Sequence, residues 1–324
     1  MPKHNLRIVY MGTPDFAVLP LKKLLEAGHQ IVGVVTNPDK PAGRGQQLQE
    51  SAVKKFAQEV GLKILQPHKF KDELFLQELA QLKADLQLVV AFKMLPEIVW
   101  NMPPLGTVNL HASLLPDYRG AAPINWAIMQ GENYSGVSTF LLKHEIDTGA
   151  IIFQEKIAIS EEMNAGELHD KLMEKGADLL LKTANAIEQK NFPLIDQESL
   201  LQGRASIHAP KIFKEDMKIQ WSHPLEKIYN HIRGLSPFPG AWTELIHPTS
   251  GKMITIKIFK TEKIKQNHSY PIGQIESDEK TIFSIYVSGG KLNILELQLS
   301  GKKKMNIEEF LRGFPLKEYN LFQP

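Results

Sequence analysis

Short apolar runs and amphipathic stretches alternate through the first 111 residues. Residues 6–11, 30–36, 86–91 and Thr107–His111 read as strands, and 16–27, 50–60 and 72–83 between them repeat apolar positions at helical spacing. Strand and helix alternating at this interval predict βαβ units, and so an α/β domain with a mostly parallel, Rossmann-like sheet. Farther on, residues 122–131 begin near Pro123 and stop at Gly131, the asymmetry of a short helix, 136–142 alternate as a strand, and 165–189 form a long helical pattern. Residues 252–260, 281–287 and 291–299 have strand length and are separated by Gly and polar turns, which predicts a small all-β module. The expected division is a catalytic body over 1–190, a linker over 191–208 and a C-terminal domain over 209–324.

Length agrees with two domains, since 324 residues exceed one ordinary core. No apolar run approaches a bilayer span, and the N-terminus enters its first strand without the apolar region of a secretory leader, so no membrane association is expected. The absence of cysteine excludes disulfides and thiolate metal sites and suits the cytoplasm. The net charge of +2 is unevenly spread: 21 Lys and Arg against 24 Asp and Glu in residues 1–210 give −3, and 17 against 12 in residues 211–324 give +5. A basic C-terminal third suits a polyanion, although a surplus of five is also compatible with a solvated surface.

The candidate chemistry lies at the end of one strand. Asn109 and His111 alternate with apolar Val108 and Leu110, so their side chains share one face. If residues 136–142 pair with that strand, the turn 143–149 brings Asp147 beside His111. A carboxylate next to an imidazole fixes its tautomer and favours its protonated form, and an amide N–H can hold an oxyanion. These are the parts needed for acyl or formyl transfer to an amine, in which the amine itself is the nucleophile. No metal is called for. The turn Met11-Gly12-Thr13-Pro14-Asp15-Phe16 lacks the three glycines of a dinucleotide fingerprint. The polar loop 37–47, with Arg44 between two glycines, cannot form a core and suits phosphate contact or plain solvation.

Asn109-x-His111-x-Ser113-Leu114-Leu115-Pro116-x-Tyr118-Arg119-Gly120-Ala121-Ala122-Pro123, with Asp147-Thr148-Gly149 downstream, resembles the folate-dependent formyltransferases. The turn 11–16, the loop 38–45 and the segments 209–212 and 301–305 extend the likeness over nearly the whole chain, toward the branch that acts on charged initiator tRNA. The resemblance implies that the formyl group of 10-formyltetrahydrofolate passes to the α-amine of initiator methionyl-tRNA. It implies that Asn109 and His111 hold the oxyanion and that Asp147 keeps His111 protonated. Ser113, Leu114, Leu115 and Pro116 would border the folate, with Phe92, Met94 and Leu95 as an apolar wall. Lys40, Arg44, Lys302, Lys303 and Lys304 would meet tRNA, and the C-terminal domain would be an OB-like β-barrel. Composition alone reads Lys302–Lys304 as a hairpin kept soluble by charge, and nothing demands more than a monomer.

The chain departs from the family pattern at Gln46 and Gln47, where relatives carry lysines, at Lys93, and at Asp117, where a basic residue is frequent. A sugar-nucleotide amine formyltransferase or a formyltetrahydrofolate hydrolase would share the Asn-His-Asp set. A non-catalytic RNA-binding protein would have no use for it.

Overall fold

The computed structural model describes residues 5–42 and 47–322. The chain divides into two compact units, one of residues 1–121, 135–157 and 169–209, the other of 122–134, 158–168 and 210–324.

The first unit is built on a seven-stranded sheet. Its strands are β1 (Arg7–Gly12), β2 (Gln30–Val35), β3 (Ile64–Leu65), β4 (Leu86–Val90), β5 (Thr107–His111), β6 (Tyr134–Leu141) and β7 (Ile151–Ala158), in the spatial order β3-β2-β1-β4-β5-β6-β7. The pairs β1–β2, β1–β4, β2–β3 and β4–β5 are parallel, and β6 runs antiparallel to β5. All five residues of β4 are buried, as an apolar run covered on both faces must be. The helices α1 (Val18–Glu26), α2 (Ala52–Glu59) and α3 (Glu73–Gln81) follow the expected periodicity. Ser51 caps α2 by accepting from the Lys54 N–H, and Asp72 caps α3 by accepting from those of Leu74 and Phe75.

Strand order reverses between β1 and β4, and ligands of doubly wound sheets bind beyond the strand ends at such a reversal. There the chain turns tightly: a Cβ on Gly12 would lie 2.6 Å from the Ala17 Cβ and 3.2 Å from the Val90 carbonyl. The long helix Ala165–Glu188 passes behind β5 and β6, where Gly176 meets Leu110 and the Thr183 hydroxyl lies 2.9 Å from that of Thr139.

The segment 191–208, expected as a linker, carries ordered structure within the first unit. Ile195 bridges Ile151, residues Gln197–Leu201 form a short helix, and His208–Ala209 pairs in parallel with Arg119–Gly120. The polar loop 37–47 runs into two short strands, Lys40–Ala42 and Gln47–Gln49, paired antiparallel.

In the second unit, helix Pro123–Met129 lies against helix Leu225–Gly234, with the Asn125 amide donating to the Gly234 carbonyl at 2.8 Å. Beside them is a nearly closed, barrel-like antiparallel sheet of Ala241–Ile246, Met253–Lys265, Ile275–Ser277, Phe283–Val287 and Gly290–Leu299. Its core holds Trp221, Ile232, Leu245, Ile256, Phe283, Leu292 and Phe310. Among the described residues no helix is long and apolar enough to cross a membrane.

Candidate functional site

β5 ends with Asn109 half-buried and His111 buried, their shared face set by the strand pleat. Among the described residues the Asn109 side-chain amide has no hydrogen-bond partner, so its donors remain unspent. The His111 imidazole is fixed on one side: its Nε2 lies 2.8 Å from the Tyr118 carbonyl. A carbonyl only accepts, so Nε2 carries the hydrogen, and the neutral ring keeps its lone pair on Nδ1. Nδ1 faces Asp147, whose Oδ2 is 3.9 Å away, beyond hydrogen-bond length. Such contacts are often long before substrate arrives.

The path of its turn and one backbone donor hold the Asp147 carboxylate in this place. β5 and β6 pair antiparallel, His111 beside Ser138 and Val108 beside Leu141, so β6 ends beside the start of β5 and the turn that follows folds back to bring Asp147 to His111. The Gly120 N–H then donates to Asp147 Oδ2 at 3.0 Å. Ala91, Tyr118 and Asp147, all beyond the ends of sheet strands, have φ of 47°, 60° and 54°. Non-glycine residues held at positive φ store local strain and gather at functional sites.

The turn after β5 is internally braced. The Ser113 hydroxyl donates to the Asp117 carbonyl at 2.7 Å, and the Ser138 hydroxyl donates to the Ser113 carbonyl and accepts from the Leu115 N–H. Gln154 donates to the Leu115 carbonyl and to Ser138 Oγ, both at 2.8 Å. Leu115 packs with Phe140 and Ile151, so Ser113 and Leu115 turn their side chains into the protein, Pro116 is buried, and Leu114 is half-buried against Gly136. Of the apolar wall, Leu95 and Phe92 pack into the core with Val9, Met11 and Phe75, whereas Met94 is 75% exposed. Lys93 is exposed as well.

Asp117 forms a fork with Arg204, Nη1 to Oδ1 being 2.8 Å, and accepts from the Ile207 N–H at 3.0 Å. Burial pushes its carboxyl upward, but the bonds from Arg204 and Ile207 and the charges of Arg204 and Arg119 outweigh this and hold it below the usual range. A group with a depressed folded pKa adds stability above its unfolded pKa and loses it as pH falls through the folded one. Asp117→Asn is therefore expected to lower the melting temperature at pH 7, by an energy of about 1 kcal/mol or less for so solvated a pair. In melts recorded down the pH scale, the gap should close below about pH 4.

Lys40 is exposed, and Arg44 lies outside the described residues. Lys302–Lys304 are exposed on a turn, with Lys304 paired to Glu296 at 2.6 Å and its ammonium 5.7 Å from the Phe259 ring centroid. Sequence reasoning missed Ser138, Gln154 and Gln197, whose contacts come from remote parts of the chain.

By sequence comparison the chain falls among formyl transferases. It matches the family "Formyl transferase" over residues 6–184 and "Formyl transferase, C-terminal domain" over 211–315. The methionyl-tRNA formyltransferase of Bacteroides thetaiotaomicron is 52% identical over 318 residues, spanning 98% of each chain. That of Parabacteroides distasonis is 53% identical over 324 residues, 99% of this chain and all of its own. The chain belongs to the methionyl-tRNA formyltransferase family. Among solved structures, an N-formyltransferase from Helicobacter canadensis, in complex with folinic acid and dTDP-3-aminofucose, shares the fold with a TM-score of 0.64 at 20% identity, over 90% of this chain and 99% of that one.

Proposed function

We propose that the protein transfers the formyl group of 10-formyltetrahydrofolate to the α-amine of methionine on initiator tRNA. One observation carries the chemistry: an unspent amide at Asn109 stands on the same strand face as an imidazole whose Nδ1 is turned to Asp147. The amine nitrogen attacks the formyl carbon, the carbon–N10 bond of the folate breaks, and one proton passes from the amine to N10. The Asn109 amide and, once Nδ1 is protonated, the His111 Nδ1–H take the developing oxyanion, the Nε2–H staying on the Tyr118 carbonyl. The Asp147 carboxylate stabilises the Nδ1 proton and receives the amine proton through water. The turn 113–116, with Phe92, Met94 and Leu95, borders the folate through its backbone and its exposed apolar atoms. The folate in the solved N-formyltransferase of the same fold supports a donor of this class.

Acceptance of tRNA belongs in this reading to the second unit and to the loop carrying Lys40 and Arg44, with Lys302, Lys303 and Lys304 near the tRNA backbone. Its support is the surplus of five positive charges in residues 211–324. The protein works as a monomer in the cytoplasm and needs no metal. Arg44→Ala should reduce the rate at subsaturating tRNA by about threefold to tenfold with folate affinity unchanged, since one loop cation is lost. An unchanged rate at subsaturating tRNA would remove the loop from tRNA binding.

The test of the reaction offers 10-formyltetrahydrofolate with charged initiator tRNA, charged elongator tRNA or an amino-sugar nucleotide. Formylation confined to the initiator is expected. Preference for the sugar nucleotide, or release of formate without acceptor, would reassign the enzyme within its superfamily.

A further inference from the structure

Gln197 is fully buried, yet the mechanism above does not use it. It opens the short helix Gln197–Leu201, whose start is capped by Asp196 accepting from the Ser199 N–H. Its Nε2 donates to the carbonyls of Asp147 and Gly149, at 2.9 and 2.8 Å. Its Oε1 accepts from Nε and Nη2 of Arg119, at 3.0 and 2.7 Å. Two donors meet two acceptors on one side, and one oxygen meets a guanidinium fork on the other. The amide has one satisfactory orientation, with its hydrogen-bonding capacity filled.

These bonds close a ring around the candidate carboxylate. The Gly120 N–H holds the Asp147 side chain, Arg119 precedes Gly120, and Arg119 grips the amide that holds the Asp147 and Gly149 carbonyls. Asp147 needs such restraint because its φ of 54° lies in the left-handed region, which a non-glycine residue leaves unless its surroundings hold it. We infer that Gln197 is a positioning residue for formyl transfer, fixing the backbone of Asp147 so that its carboxylate faces His111. The inference rests on the catalytic role proposed for Asp147.

Two substitutions separate positioning from packing. Gln197→Glu keeps the oxygen that faces Arg119 and sets a second oxygen against the two carbonyls. Gln197→Met keeps the approximate volume and loses both sets of bonds. With 10-formyltetrahydrofolate and charged initiator tRNA, each variant should lose about tenfold or more in kcat while both KM values stay within about twofold. In the Asp147→Asn background, Gln197→Met should add less than about a twofold further loss, since residues that act as a unit are not additive. Arg119→Lys leaves Gln197 in place but removes the fork, and should give a smaller loss confined to kcat, which keeps the inference open to refutation if both Gln197 variants fail to fold. Gln197→Met at the wild-type kcat, with Asp147→Asn strongly impaired, would overturn the positioning role and leave the Asp147 reading intact. A full tenfold added loss in the Asp147→Asn background would show that Gln197 acts elsewhere. Normal turnover by Asp147→Asn would instead remove the reading on which the inference rests.

Discussion

His111→Ala and Asp147→Asn are each expected to slow formyl transfer by about a hundredfold or more, with methionyl-tRNA binding largely retained. The two variants remove different things. Asparagine at 147 keeps an oxygen for the Gly120 N–H but removes the charge 3.9 Å from His111 Nδ1. Alanine at 111 removes the proton carrier itself and the hydrogen bond between its Nε2 and the Tyr118 carbonyl, at about 1 kcal/mol of stability. Thermal melts beside the rates therefore distinguish lost chemistry from lost fold. Either variant, folded and within about threefold of the wild-type rate, would end the mechanism.

A second large effect is expected from a single methyl group. A Cβ on Gly149 would lie 1.6 Å from the Leu141 carbonyl oxygen and 2.8 Å from its carbon, both backbone atoms. The backbone has little room to yield, because the Leu141 N–H donates to the Ala150 carbonyl at 3.1 Å and the Gly149 carbonyl accepts from Gln197. Gly149→Ala must therefore displace the turn that carries Asp147. The expected result is a loss of about 1–3 kcal/mol, the usual cost of overpacking, together with more than a tenfold fall in kcat. Gly61→Ala serves as a contrast. Its φ of 70° is strained for alanine, but nothing lies within 4 Å of the new carbon, so it should cost about 1–2 kcal/mol and leave turnover unchanged. Equal activity in the two variants would show that the close approach at Gly149 has no part in the site.

How much of this was legible in the chain depends on how local each signal is. Asn109 and His111 stand out because polar residues on a strand between buried neighbours are costly unless used, and the apolar runs that became β1, β2, β4 and β5 lie within a residue of expectation. Asp147 was reachable by assuming that β5 and β6 are neighbours, which they are. The strand Ala241–Ile246 was not recognised, although its burial alternates, because Trp242 and Ile246 occupy half-exposed positions and mask the alternation. The helix Leu225–Gly234 buries Leu225, Ile228, Tyr229 and Ile232 at helical spacing, a signal the expectation of an all-β module passed over. The segment 191–208 reads as a linker because its docking uses backbone pairing at Ile195 and at His208–Ala209, the buried Gln197 amide and the Arg204 fork, none of which leaves a periodic trace. Asp117 breaks the family pattern, and Arg204, 87 positions away, completes its fork.

The most direct test of the central claim, that His111 and Asp147 act together on one proton, is a double-mutant cycle. Single-turnover rates are read from preformed ternary complexes of the wild type, His111→Ala, Asp147→Asn and the double variant. The double variant is expected to be no more than about threefold slower than the slower single variant, since removing either member already disables the pair. Independent losses that multiply, to about ten-thousandfold or more, would contradict it.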